Sequence, residues 1–178
     1  MKAFVTGGTG FIGRRLVRQL IARGDEVRAL VRSPQGSTEL NALGAMPVLG
    51  DLADKQALCA GMDGCDAVFH IAGWYKLGAL DQSTAESTNI DGTRNVLTLA
   101  WEMGVSRIVY TSTVAIYGDT RGELVDETFV RHDRKFHSEY DRTKTLAHDQ
   151  VVLPLIAQGA PVIITLPGAV FGPGDTSL

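Results

Sequence analysis

Three glycines, Gly7, Gly10 and Gly13, stand at the spacing G-x-x-G-x-x-G, directly behind the apolar run Ala3–Thr6. Directly ahead of them, Phe11, Ile12, Leu16, Val17, Leu20 and Ile21 recur at helical spacing, and Gly24 is placed to close the helix. The order predicts a strand, a tight turn without side chains, and a helix entered at once. Such a turn lets the backbone come close to a ligand while free N–H groups and the positive end of the helix dipole face it. Glycines also serve plain turns and close packing. Placed between strand and helix at the start of a βαβ unit, these three predict a seat for a dinucleotide pyrophosphate.

The rest of the chain keeps the same rhythm. Short apolar or β-branched runs at Ala3–Thr6, Val27–Val31, Pro47–Leu49, Ala67–Ile71, Arg107–Thr111 and Val162–Leu166 read as six strands. Most are apolar nearly throughout, as strands covered on both faces should be. Between them, Asn89 to Met103 and Ser138 to Gln158 read as crossover helices ending at Gly104 and Gly159, and Pro154 predicts a kink or a two-part helix in the second. The expected fold class is α/β: a doubly wound parallel sheet, or Rossmann fold, of strand order 3-2-1-4-5-6.

Composition narrows the partners. With 44% hydrophobic residues in 178, one substantial core is expected, so residues 1–178 form one domain. The formal charge of -3 comes with scattered lysines and arginines, which argues against nucleic acid. No apolar run approaches the roughly 20 residues of a membrane helix, and the first residues run straight into a strand instead of a signal sequence. The two cysteines, Cys59 and Cys65, fit neither zinc spacing nor a disulfide framework, so a cytoplasmic protein without bound metal is expected.

The second strand ends in Val31-Arg32-Ser33, where a dinucleotide fold usually presents an acidic residue to the adenosine ribose. Arg32 can instead pair with a 2′-phosphate, which favours NADP over NAD, or it is an ordinary surface arginine. Asp51, after the third strand, reads either as a partner of the adenine amino group or as a cap for the helix beginning near Asp54.

Five motifs then stand in order: Thr6-Gly7-Gly8-Thr9-Gly10-Phe11-Ile12-Gly13, Asp51-Leu52, His70-Ile71-Ala72-Gly73, Asn89-Ile90-Asp91-Gly92-Thr93-Arg94-Asn95, and Tyr140-Asp141-Arg142-Thr143-Lys144. Together they resemble the extended short-chain dehydrogenases, the NAD-dependent epimerase/dehydratase family, over nearly the whole chain. The stretches Phe69 to Leu77 and Val109 to Thr113 are most similar to dihydroflavonol-reductase-like members and to sugar epimerases of the hopanoid-associated type. The resemblance implies cofactor contacts from Gly7, Thr9, Gly10, Phe11, Ile12, Gly13, Arg32, Asp51, Leu52, Ala72, Gly73, Asn89, Thr111, Tyr140, Lys144, Pro167 and Val170. It also implies that the chain, stopping just after Pro167 to Asp175, lacks a C-terminal substrate lobe, and that copies pair through the two crossover helices as a homodimer.

Tyr140 and Lys144, four apart, share a helix face. A lysine ammonium beside the phenol, with an oxidised nicotinamide, would lower the tyrosine pKa from about 10 and make it a general acid or base. The family's third catalytic residue, a substrate-oxygen partner, falls on Thr113, with Ser112 as the alternative. Val114 and Ala115 follow where dehydratases of the family carry an acid pair, so water elimination is not expected. Reduction of a ketone, oxidation of a secondary alcohol or epimerisation through a keto form remains. A different class, a non-catalytic NADP sensor, is the rival reading, and the Tyr140–Lys144 pair counts against it.

The other polar and aromatic residues carry open alternatives. The long stretch Gly118 to His137 is either an active-site loop or a solvated excursion. His70 is expected to pack and hydrogen-bond, Asn89 to brace the catalytic region or cap a helix, and Trp74-Tyr75 to line a cleft or cover the core.

Overall fold

The computed structural model describes residues 1–75 and 81–175. Its sheet has six parallel strands in the order β3-β2-β1-β4-β5-β6: β1 Lys2–Thr6, β2 Glu26–Val31, β3 Met46–Leu49, β4 Ala67–His70, β5 Arg107–Thr111 and β6 Val162–Thr165. Each expected strand is present, displaced by no more than one residue at either end. The registers set Val5 opposite Ala29 and Phe69, and Phe69 opposite Val109, so the strands end together at one carboxyl edge.

Successive residues of a strand face opposite sides of a sheet, and β1 uses both. Ala3 and Val5 enter one core with Val17, Leu20, Val27, Ala29 and Leu40, under α1 (Phe11–Ala22) and α2 (Pro34–Ala42). Phe4 enters the other, with Leu58, Met62, Val68, Val96, Leu97, Ile108 and Tyr110, under α3 (Lys55–Met62) and α5 (Gly92–Glu102). This two-sided burial explains the unbroken apolar strands, and burying each large side chain is worth about 1.5–3 kcal/mol.

Both crossover helices depart from simple regularity. The first begins earlier than its apolar spacing indicates, with α4 (Gln82–Glu86), whose N-cap Asp81 accepts from the Thr84 N–H at 3.1 Å. A wider π-turn, Ser87–Asp91, joins it to α5. Gln82–Glu86 is too polar to show periodicity, which is why only the part from Asn89 was legible. The second comprises α6 (Glu139–Ala147), a π-turn His148–Val152 and α7 (Leu153–Ala157). Pro154 has no N–H to give and stands in the first turn of α7, so the two-part helix is the form its ring imposes.

Candidate active site

The first turn is shaped by contact between two chain segments. Gly7 has φ 74°, and a Cβ there would stand 2.7 Å from the Ala72 backbone nitrogen, so only glycine lets the ends of β1 and β4 pass this closely. Gly13 meets the turn itself, where a Cβ would overlap the Gly7 carbonyl oxygen. Gly10, by contrast, has open space apart from that oxygen at 3.3 Å. It is the N-cap of α1 and supplies no side-chain cap, so the first-turn N–H groups at Phe11 and Ile12 are left for an anion. The pyrophosphate of a dinucleotide fits this arrangement.

At the far end of the same edge, Arg32, Pro34, Leu49, Gly50, Asp51 and Asp54 line a groove of about 290 Å³. Arg32 is exposed and has neither a hydrogen bond nor an ion pair among the described residues. Asp51 does not cap the following helix. One of its oxygens accepts from the N–H groups of Ala53 at 2.8 Å and Asp54 at 3.1 Å, while Asp54 is itself the N-cap of α3. Leu52 is fixed by its neighbours: the Asn95 amide donates to its carbonyl at 2.9 Å, and a Cβ on Gly92 would stand 2.6 Å from its Cδ1.

Under the turn, His70 is fully buried, its Nδ1 paired with Thr6 Oγ1 at 2.7 Å and its Nε2 with Thr93 Oγ1 at 3.0 Å. Burial pushes its pKa down to about 3, so the ring is neutral and serves as a brace. Asn89 sits inside the π-turn, not at a cap. Its side chain accepts from the Trp74 N–H at 2.7 Å and donates to the Trp74 carbonyl at 3.1 Å and to Thr143 Oγ1 at 2.9 Å. Asn89 thereby ties the segment after β4 to the helix carrying Tyr140. A Cβ on Gly73 would come to 3.4 Å from the same Asn89 oxygen.

Thr113 and Tyr140 are brought together, and Ser112 is not. The Thr113 hydroxyl accepts from the Ala115 N–H at 3.2 Å and is close enough to the Tyr140 phenol to favour its ionised form. Among the described residues Ser112 Oγ is buried with no hydrogen bond of ordinary geometry, and it lies beside Tyr110 and not Tyr140. Burial nevertheless dominates and raises the Tyr140 pKa above its ordinary value. Lys144 does not oppose it, because its ammonium donates to Tyr110 OH at 2.9 Å and to the Thr111 carbonyl at 2.8 Å. The lysine's expected share in lowering the phenol pKa is therefore corrected: the helix brings the side chains to one face, but β5 captures the ammonium.

Two contributors had weak or no sequence signals. Tyr75 is 45% exposed and meets Tyr140 edge-on at 4.9 Å, whereas Trp74 beside it is buried. Tyr110 is fully buried and stacks on His70 at 5.8 Å. The segment after β6 is anchored where the Val114 N–H donates to the Pro167 carbonyl at 3.2 Å, and it leaves Val170 46% exposed. Lys76 and Leu77, from the stretch used for the resemblance, lie outside the described residues. Among the described residues no helix is long and apolar enough to cross a membrane.

The pattern of the NAD dependent epimerase/dehydratase family matches residues 3–178. The chain is 40% identical over 178 residues to a 4-hydroxy-2-methyl-3-oxo-4-farnesyl-3,4-dihydroquinoline-1-oxide ketoreductase of Stigmatella aurantiaca, covering 99% of this chain and 52% of that protein. It is 37% identical to a 2-alkyl-3-oxoalkanoate reductase of Stenotrophomonas maltophilia, over 100% of this chain and 53% of the other. The structure of a Thermus thermophilus UDP-glucose 4-epimerase in complex with NAD superposes with a TM-score of 0.82 at 28% identity, over 98% of this chain and 57% of that one. The chain spans about half the length of the curated relatives it matches. With the six-stranded parallel order, the glycine turn and a family pattern running from residue 3 to residue 178, the chain belongs to the NAD-dependent epimerase/dehydratase family.

Proposed function

We propose that this chain is the dinucleotide-binding part of an NADP-dependent reductase that converts a ketone to a secondary alcohol. The observation that carries the reading is the meeting of the Tyr140 phenol and the Thr113 hydroxyl at the carboxyl edge of the sheet, on the strand side where doubly wound folds bind ligands. Burial holds the phenol protonated at neutral pH, the state a proton donor needs. Reductase names among relatives 37–40% identical over nearly the whole chain favour reduction over epimerisation.

A reduced nicotinamide, when bound, would supply the hydride to the carbonyl carbon. The chain's own residues do the rest. Gly10 and the first turn of α1 would hold the pyrophosphate, with Ala72 and Gly73 beside that turn, and Arg32 would take the 2′-phosphate in the groove it shares with Asp51. Thr113 donates a hydrogen bond to the substrate oxygen, and Tyr140 O–H passes its proton to that oxygen as the new alcohol forms. Lys144 keeps one ammonium proton for the nicotinamide ribose after its two bonds to β5. The part of the relatives' length that this chain does not span is the proposed source of substrate choice. NADPH and NADH consumption over a panel of ketones tests the reading: turnover with NADPH is expected, and turnover only with NADH, or with neither, discards it.

A further inference from the structure

The stretch from Gly118 to His137 contains a buried cation that the reaction above does not use. The Arg131 side chain is 7% exposed. Its Nη1 donates to the Ala115 carbonyl at 3.3 Å, to Asp141 Oδ1 at 2.7 Å and to Thr145 Oγ1 at 3.4 Å. Nη2 donates to Asp141 Oδ2 at 3.3 Å and to the Lys135 carbonyl, and Nε donates to Asp133 Oδ1 at 3.3 Å. The Phe136 ring lies 4.8 Å away and covers the group. Gly118 makes room for it, since a Cβ there would stand 2.7 Å from Nε.

These partners are arranged around the active site. Ala115 lies on the turn that Thr113 begins, Asp141 follows Tyr140, and Thr145 follows Lys144. One planar guanidinium therefore ties the strand end carrying Thr113 to the helix carrying Tyr140 and Lys144, with the intervening loop closed over it. We infer that Arg131, with Asp141 as its counter-ion, is a positioning residue that holds the Thr113 hydroxyl against the Tyr140 phenol. The inference deepens the proposed reductase reading, which supplies the role of those two groups.

The test needs neither substrate nor cofactor. With 13C-labelled tyrosine, the chain gives signals for Tyr75, Tyr110, Tyr117 and Tyr140, and Tyr140→Phe assigns the one of interest. The groups facing that phenol are Thr113 and Tyr75, and its charge also reaches the Tyr110 phenol, toward which Lys144 on its own helix is turned. Arg131→Met combined with Asp141→Leu removes a positive and a negative charge together, so Coulomb effects on Tyr140 largely cancel while the tie is lost. The Tyr140 midpoint is expected to rise by about one pH unit, the size of one hydrogen bond to a charged group. Tyr110, whose phenol burial lifts out of the titrating range, reports that the core is intact. An unchanged Tyr140 midpoint with the Tyr110 signal in place overturns the inference. Should the pair variant fail to fold, Arg131→Lys keeps the charge but cannot span the same partners; a smaller rise supports the tie, and no shift in the folded protein overturns it. Absent turnover with wild-type titration would remove the reductase reading and leave the positioning role standing.

Discussion

The Lys144 ammonium is held by Tyr110 and not by Tyr140: it lies 2.9 Å from Tyr110 OH and 4.4 Å from the centre of that ring, although Tyr140 is its neighbour four residues back on the same helix. Lys144 is 3% exposed, and burial pushes its pKa down to about 7. Near neutral pH the ammonium is consequently poised between two states, with two of its protons already committed to β5.

This burial has a stability signature. An unfolded lysine titrates near about 10.4, so between about pH 7 and that value the unfolded chain binds the extra proton and the unfolding free energy climbs with pH. The cost of the buried ammonium is felt in full below about pH 7. In urea unfolding, Lys144→Met should flatten the climb across about pH 7 to 10. An unaltered slope would mean that Lys144 is not the titrating group.

His70 shapes the acid side. Its pKa is depressed to about 3 in the fold, against about 6.5 unfolded, so its contribution is complete above about pH 6.5 and is lost as pH falls toward 3. His70→Gln should lower stability at neutral pH, because the Thr6 and Thr93 hydroxyls lose their partner, yet lose less between about pH 6.5 and 4. Parallel acid-unfolding curves for the two proteins would contradict this.

Asn89→Ala should destabilise the fold by about 2–3 kcal/mol, since it orphans the Trp74 N–H and carbonyl at one stroke. Chemical denaturation measures it. A loss below about 0.5 kcal/mol, typical of a surface change, would show that the brace is dispensable.

The turn glycines should separate folding from binding. Gly13→Ala drives a methyl into the Gly7 carbonyl oxygen and should unfold or strongly destabilise the chain. Gly10→Ala meets only one oxygen at 3.3 Å, so thermal unfolding should change little while NADPH titration weakens. Equal effects of the two substitutions on melting temperature would sink the distinction.

The central strands were legible because they are buried on both faces, as β1 is, so Ala3–Thr6 reads as a strand without help from its neighbours; Val162–Leu166 reads the same way from its β-branched run, although β6 lies at the sheet edge with Ile163 exposed. The glycine turn was legible because Gly7 and Gly13 answer to backbone contacts that no other residue satisfies. Sequence spacing stopped being a guide where long-range contacts decide direction. Lys144 turns to Tyr110, 34 residues away, and Arg131 gathers partners from a turn, a loop and a helix with no period linking them. The loop's fixing to α6 likewise depended on where Asp141 points, which a helical spacing does not state.

Arg32→Asp should weaken NADPH binding by about 10- to 100-fold, the loss of one charge-assisted contact of about 1.5–3 kcal/mol, and spare or improve NADH. Fluorescence titration with both cofactors reads the change. Equal affinity for NADPH and NADH before and after would discard the assignment of Arg32.

If Tyr140 delivers the proton while the rest of the fold holds the cofactor, Tyr140→Phe, which deletes one hydroxyl and keeps the ring against Tyr75, separates turnover from binding. NADPH binding and ketone turnover are measured side by side in both proteins. The account predicts unchanged NADPH affinity with turnover reduced at least about 100-fold, the scale of a lost general acid. Turnover at the wild-type rate in Tyr140→Phe, with binding intact, would contradict it.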